Sequence, residues 1–386
     1  MKAFLFSKKF IGVIIFVFVI QMLLAYASFG PAVFTEVKNL PVGVVSSDDG
    51  VMAEQMETEL MSAEMEEVEW ILYSTYEEMI EGLEKKEVYG ALHIREEFSS
   101  RLIATMEGEP QPINLDIYIN EGMNAQGAQI ASSILEGIVS QQNTELGKGL
   151  LESYVENDIQ VAPDDVLLMN NLVTANITQV HTPSGSSEAQ LPMIFTVLIW
   201  LGSLIGALMI WLGMHRPDQK PSSFLTTQLI SGLAISIVQT IFVYLIVSVL
   251  MGIEVTNTGI LLFFILLTAL VFFMIQSSVL NWLGFKGWPI LIIIWLFGPA
   301  LVQLPPEMLS SGYYYGVYSW IPIRFHVEGF KDILFFNGGG TLTQSLTVVA
   351  GIGIFFLIIL TLSIFSLRKK DLTMSPLKKR MDSASS

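Results

Sequence analysis

The chain has no cysteine among its 386 residues. No disulfide can brace it, so any exported part must hold together by a packed core, which suits a bacterial surface. Bases are scarce in one stretch. Residues 30–190 carry 29 of the 36 acids but only 6 of the 20 bases, a net of −23 against +7 for the rest. That excess offers no basic groove for phosphates and argues against a nucleic-acid partner. A phosphate-cradling loop is missing too. No G-x-x-x-x-G-K-[ST] run occurs, and Gly147-Lys148-Gly149 lacks the upstream glycine and the hydroxyl residue. The chain reads as a non-enzyme that binds no cofactor of its own. Its four histidines, His93, His181, His215 and His326, show no metal-ligand spacing.

What is abundant is apolar sequence, in runs of about 18 or more residues that suit membrane spans. Six segments qualify: residues 10–29, 191–213, 224–252, 259–282, 288–304 and 346–367. The fifth is short and holds Pro289 and Pro299. The first has a basic start, and Ala25-Tyr26-Ala27 resembles a signal-peptidase site. Its apolar run exceeds the usual h-region of about 7–15 residues, so it is expected to stay as a span. Bases cluster in the cytoplasm beside spans. Lys2, Lys8 and Lys9, then Arg216 and Lys220, then Lys286, then the tail from Arg368 to Arg380, fall on one side if there are six spans. Both termini are then cytoplasmic, in a multi-pass plasma-membrane protein with residues 30–190 outside.

The acidic region alternates strands and helices. Residues 40–46 (LPVGVVS) read as a buried strand and Ser47-Asp48-Asp49-Gly50 as a turn. A helix over 51–67 would bury Met52, Met56, Leu60 and Ala63. A strand at 68–73, a helix from Thr75 with Met79, Ile80 and Leu83 inward, a strand at 88–94 and a helix at 96–106 follow. Residues 113–119 place Ile113, Leu115, Ile117 and Ile119 on one face. The alternation predicts βαβ units and a largely parallel sheet. Residues 122–158 read as one long helix or two, and 181–190 as a linker. Four parts result: 1–29, the α/β domain 30–190, the span body 191–367 with an interfacial or re-entrant element at 305–343, and the basic tail 368–386.

The span cores hold no ionisable residue, and each would cost about 2.5–3.5 kcal/mol on insertion scales. Ion coupling through the spans is therefore not expected. Gln239, Gln276 and Asn281 are their strongest polar groups, suited to bonding between helices or to lining a path. Outside the spans, His93 reads as a polar-face strand residue, and Glu64, Glu66, Glu67 and Glu69 as a solvated face. Residues 320–336 (WIPIRFHVEGFKDILFF) form an amphipathic helix, either an interfacial anchor or a gate. Phe325, Phe330, Ile333 and Leu334 would share its apolar sector, while Arg324, Glu328, Lys331 and Asp332 face water or one another. Arg324 and Glu328 attract at i,i+4.

Several motifs resemble those of YhgE/Pip (phage-infection-protein) membrane proteins. Leu40-Pro41-Val42-Gly43-Val44-Val45 with Asp49-Gly50 is similar to the start of their outer domain. Val88–Ser99, Asn120-Glu121-Gly122-Met123-Asn124, Leu280-Asn281 with Gly284, Pro306-Glu307-Met308-Leu309, and Pro322 through Glu328-Gly329-Phe330-Lys331 follow in the family's order. Here Arg95 stands where the family has proline. The chain is far shorter than the long members, which favours a plain permease form. The resemblance extends to membrane subunits of type-2 ABC exporters: six transmembrane helices with an extracytoplasmic α/β domain between the first and second. It implies a dimer, homo- or heteromeric, in contact with membrane lipids. ATP would be bound by a separate cytoplasmic ATPase docking at Lys8, Lys9, His215, Arg216 and Pro217. It also implies an outer gate at Pro322, Arg324, Glu328, Gly329, Phe330 and Lys331. The expected cargo is amphipathic or lipid-like. The alternative is a surface receptor or secretion scaffold whose outer domain binds a partner.

Overall fold

The computed structural model describes residues 18, 21–22, 25–27, 30–33, 37–156, 171–214, 220–253, 255 and 257–384. They divide into two compact units. The first takes in 35–185 and 303–310, the second 1–34, 186–302 and 311–386.

The first unit is a five-stranded sheet with helices on both faces. Its elements are β1 (Leu40–Ser46), α1 (Val51–Ser62), β2 (Val68–Leu72), α2 (Tyr76–Glu84), β3 (Gly90–Ile94), α3 (Phe98–Met106), β4 (Ile113–Asn120), α4 (Ala125–Glu156) and β5 (Val173–Val180). Alternation along the strands sorts side chains to two faces. Leu40, Val42, Val44, Leu92, Ile94 and the four predicted residues of β4 pack with Met56, Leu60, Phe98, Leu102, Ala131 and Leu135. On the other face Val45 and Ala91 pack with Met79 and Leu83 of α2. Helix α2 starts where Thr75 predicts it: Thr75 Oγ1 accepts from Glu78 N (3.1 Å) and Glu78 Oε2 from Ser74 N (3.1 Å). Glu78 thus reaches back to the backbone of Ser74, one residue before the cap, in a variant of the capping box.

Expectation and structure compare at three points. The strand order is β2-β1-β3-β4-β5, and β3 and β4 are antiparallel while the other three pairs are parallel. The sheet is therefore largely parallel, as expected, with one antiparallel pair. Second, β5 is a strand that the sequence reading leaves out. After Val173 its side chains are exposed or half-exposed, so this edge strand owes its place to backbone pairing with β4 and shows no apolar alternation. Third, α1 stops at Ser62, and Ala63 is exposed beyond its end. The predicted long helix is one helix, α4, of 32 residues. Residues 303–310, at the start of the connection expected to belong to the span body, cluster with the sheet unit. There Asn124 Nδ2 donates to Gln303 O (3.2 Å) and Tyr89 Oη to Glu307 (3.0 Å).

The second unit is a helical bundle: α5 (Leu191–Met214), α6 (Pro221–Leu245, continued by a π turn), α7 (Thr258–Leu283), α8 (Trp288–Val302), α9 (Pro322–Phe335) and α10 (Leu342–Ala384). Among the described residues, four stretches are long and apolar enough to cross a membrane: Leu191–Gly213, Pro221–Val249, Thr258–Val302 and Leu342–Ser366. The third runs 45 residues, and at about 1.5 Å per residue it would be roughly twice as long as the ~30 Å hydrocarbon core. It breaks instead at Gly284 (φ +62), where a 3₁₀ turn separates α7 from α8. Helix α8, expected as a fifth span, has 15 residues with Pro299 inside. At about 22 Å it falls short of a full crossing. The expected first span lies mostly outside the described residues.

A short helix seated in the helical body

Packing fixes the direction of each helix. Gln228 of α6 meets Asn281 of α7 (2.9 Å), and Gly232 lies against Phe273, so α6 runs antiparallel to α7. Ser278 Oγ donates to Phe356 O (3.2 Å) and Asn281 Nδ2 to Ser363 Oγ (3.0 Å), which makes α10 parallel to α7. Against this frame, Phe330 of α9 meets Phe264 edge-on at 4.8 Å, and His326 lies 4.2 Å from the Phe272 ring. Helix α9 therefore runs antiparallel to α7. It begins beside the middle of α7 and finishes at the end where α7 starts.

The sequence favours this seat. Pro322 opens α9 at a position where its missing N–H costs nothing. Pro322, Ile323, His326, Val327, Gly329, Phe330, Asp332 and Ile333 are buried. Phe330 also meets Phe195 of α5 edge-on at 5.2 Å, and Ile323 and Val327 pack with Val302 of α8. Gly329 permits the contact, because a β-carbon there would sit 2.2 Å from Phe264 Cζ.

Of the proposed gate residues, Pro322, Gly329 and Phe330 thus face the bundle. Glu328 pairs with Lys331 at 2.8 Å, not with Arg324. The Arg324 guanidinium instead sits over the rings of Tyr318 (4.7 Å) and Phe325 (4.3 Å). Asp332, expected to face water or its charged neighbours, is fully buried. Its oxygens accept from Thr341 N (3.3 Å) and Oγ1 (3.1 Å), which ties the end of α9 to the start of α10. His326 is a bundle residue that the motifs do not single out; its spacing from Ile323, Phe330 and Ile333 is the signal for it. It is fully buried. Its Nδ1 donates to Pro322 O at 2.8 Å, and Nε2 has no partner.

The span amides bridge helices. Gln276 Nε2 donates to Trp200 O (3.0 Å), while its Oε1 is unpartnered. Asn281 pairs with Gln228, a buried amide the sequence reading passed over. Gln239 meets the Ile199–Ser203 turn of α5. With Nε2 donating to Ile199 O (3.2 Å), Oε1 accepts from Ser203 N (3.3 Å). Lys8, Lys9, His215, Arg216 and Pro217 lie outside the described residues. Among the described residues no group of three His, Asp or Glu is placed to hold a metal ion.

A mostly helical chain, with four potential membrane-crossing stretches among the described residues and a mixed-sheet unit, defines the class of protein. Residues 11–360 match the model of a family described as protein of unknown function (DUF3533), and the chain belongs to that family. No curated protein and no solved structure matches it.

Proposed function

We propose that the chain is the membrane permease subunit of an ABC-type exporter in a bacterial plasma membrane, akin to YhgE/Pip proteins. It moves an amphipathic or lipid-like substrate, works as a dimer and draws on ATP held by a separate cytoplasmic ATPase. The observation that carries this reading is α9. At about 21 Å it is too short to span, yet it reaches the middle of α7 and is buried along one face. An anchor needs no such helix, whereas a path through the membrane needs an element that closes one end. In this reading Pro322, Gly329 and Phe330 seat the closing helix, and Arg324, Glu328 and Lys331 form its polar edge. Asp332 accepts from Thr341 with both oxygens, which ties the end of the closing helix to α10. The charge split supports the orientation: the acidic domain outside, both termini inside.

The test is purification from native membranes followed by reconstitution. An ATPase should accompany the chain, and vesicles holding both should move a fluorescent lipid analogue only with ATP. If no ATPase accompanies it and none stimulates movement in vesicles, the proposal fails. Retention of a surface partner by the sheet unit without any ATP dependence would favour the receptor reading.

A further inference from the structure

Three side chains of the sheet unit meet where β1, β3 and β4 lie side by side, and the export reading uses none of them. His93 and Asp116 are register partners on β3 and β4, and Val45 is the register partner of His93 on β1. Ser47, two residues past Val45, points to the same face. Its Oγ lies 2.8 Å from His93 Nε2. On the far side of the ring, Nδ1 lies 3.6 Å from Asp116 Oδ2, and the Asp116 side chain is only 5% exposed. Arg95 Nε holds the same oxygen at 2.5 Å, and Asn176 Nδ2 donates to Oδ1 at 3.0 Å. The imidazole leans on the Tyr76 ring, 4.9 Å between centroids. Ser47 itself is half-exposed.

We propose that Ser47, His93 and Asp116 form a nucleophile, base and orienting group that give the sheet unit an esterase-type activity on small esters. The roles follow from the bonds. A neutral imidazole with its proton on Nδ1, toward Asp116, presents the Nε2 lone pair to the Ser47 hydroxyl. Asp116 is a positioning residue, fixed by Arg95 and Asn176. The 3.6 Å gap is longer than a hydrogen bond, and such contacts are often long before substrate arrives. Burial lowers the His93 pKa, Asp116 opposes that, Arg95 adds to it and Glu96 opposes it; the balance is a lowered value. The ring is then neutral, as a base must be, at neutral pH.

The chemistry balances. Ser47 Oγ bonds to the ester carbonyl carbon while its proton passes to His93 Nε2. Collapse of the adduct breaks the ester C–O bond, and the departing alkoxide takes that proton as an alcohol. Water repeats the sequence on the acyl-serine and releases the carboxylic acid. One ester and one water give one acid and one alcohol.

The experiment uses the full chain in nanodiscs with a fluorophosphonate probe and p-nitrophenyl acetate. The adduct is expected on the peptide holding Ser47. Labelling and hydrolysis should fall about 10²-fold or more in Ser47→Ala and His93→Gln, with melting temperatures near the parent's. Asp116→Asn should lower the rate and displace the pH profile, which a merely structural residue would not do. A further variant, Ser47→Cys, guards against misfolding: its alkylation by iodoacetamide should be faster with His93 than with His93→Gln. No adduct at Ser47, or equal labelling of the parent and His93→Gln, overturns the proposal.

Discussion

Gly329 of α9 approaches Phe264 of α7 so closely that a β-carbon on the glycine would fall 2.2 Å from Cζ of the ring. The ring cannot retreat freely, because its neighbour Phe330 holds it edge-on at 4.8 Å and is itself held by Phe195. Gly329→Ala must therefore push α9 outward or turn Phe264. Overpacking of this kind costs about 1–3 kcal/mol. The expected result is a lower Tm for the purified protein in detergent and, on the proposed export reading, slower ATP-dependent movement in vesicles. A variant that melts and transports like the parent would show that this contact is slack.

A second test concerns the amide pair inside the bundle. Asn281 Nδ2 donates to Gln228 Oε1 (2.9 Å) and to Ser363 Oγ (3.0 Å), and Gln228 Nε2 returns a longer bond of 3.4 Å. Asn281→Leu strands a fully buried amide on α6, at a cost of about 1–3 kcal/mol. Gln228→Leu on its own should cost a similar amount. The double variant Gln228→Leu/Asn281→Leu removes both polar groups and should recover part of the loss. Thermal unfolding of the four proteins gives the coupling, and strict additivity would mean that the pair does not interact.

These two contacts mark what a linear reading reaches. The apolar runs of α5, α6, α7 and α10, the buried strand at Leu40–Ser46 and the inward face at Ile113–Ile119 are local patterns with fixed periods, and the structure places them as the sequence implies. Partners are not local. Nothing near Asn281 names Gln228, 53 residues away, and nothing near Glu328 decides between Arg324 and Lys331. Helical spacing sets Asp332 beside Glu328 on a polar edge, whereas the structure buries it. Its burial depends on Thr341, beyond the turn that ends α9. β5 stayed hidden because an edge strand with polar side chains on both faces carries no period at all. His93 likewise gave one reading alone and another beside Ser47 and Asp116.

Acid should loosen the sheet unit at a particular turn. Burial tends to raise the Asp48 pKa, but backbone N–H groups of Ser99 and Gly50 donate to its carboxylate (3.0 and 2.6 Å), and the balance is a lowered value. A carboxylate whose folded pKa is depressed stabilises the fold above the unfolded pKa, near 4, and that contribution disappears as pH falls through the folded value. Asp48→Asn should therefore lower Tm at pH 7. The difference from the parent should shrink below about pH 4 and vanish below the folded pKa. A gap that stays constant down to pH 2 would contradict this assignment.

The absence of cysteine turns the orientation into a clean experiment, because a single introduced thiol is the only one present. Ser62 ends α1 and is exposed; Ser385 belongs to the basic tail. If residues 30–190 are outside, a membrane-impermeant maleimide should label Ser62→Cys on intact cells and Ser385→Cys only after permeabilisation. The outcome bears directly on the motor. Cytoplasmic ATP can drive the chain only if Lys8, Lys9 and the His215-Arg216-Pro217 loop share the side of the ATPase. By the same charge bias the basic tail is expected on that side as well. Labelling of Ser385→Cys from outside would put those docking residues on the wrong face, and the ATPase-driven reading would fall with the orientation.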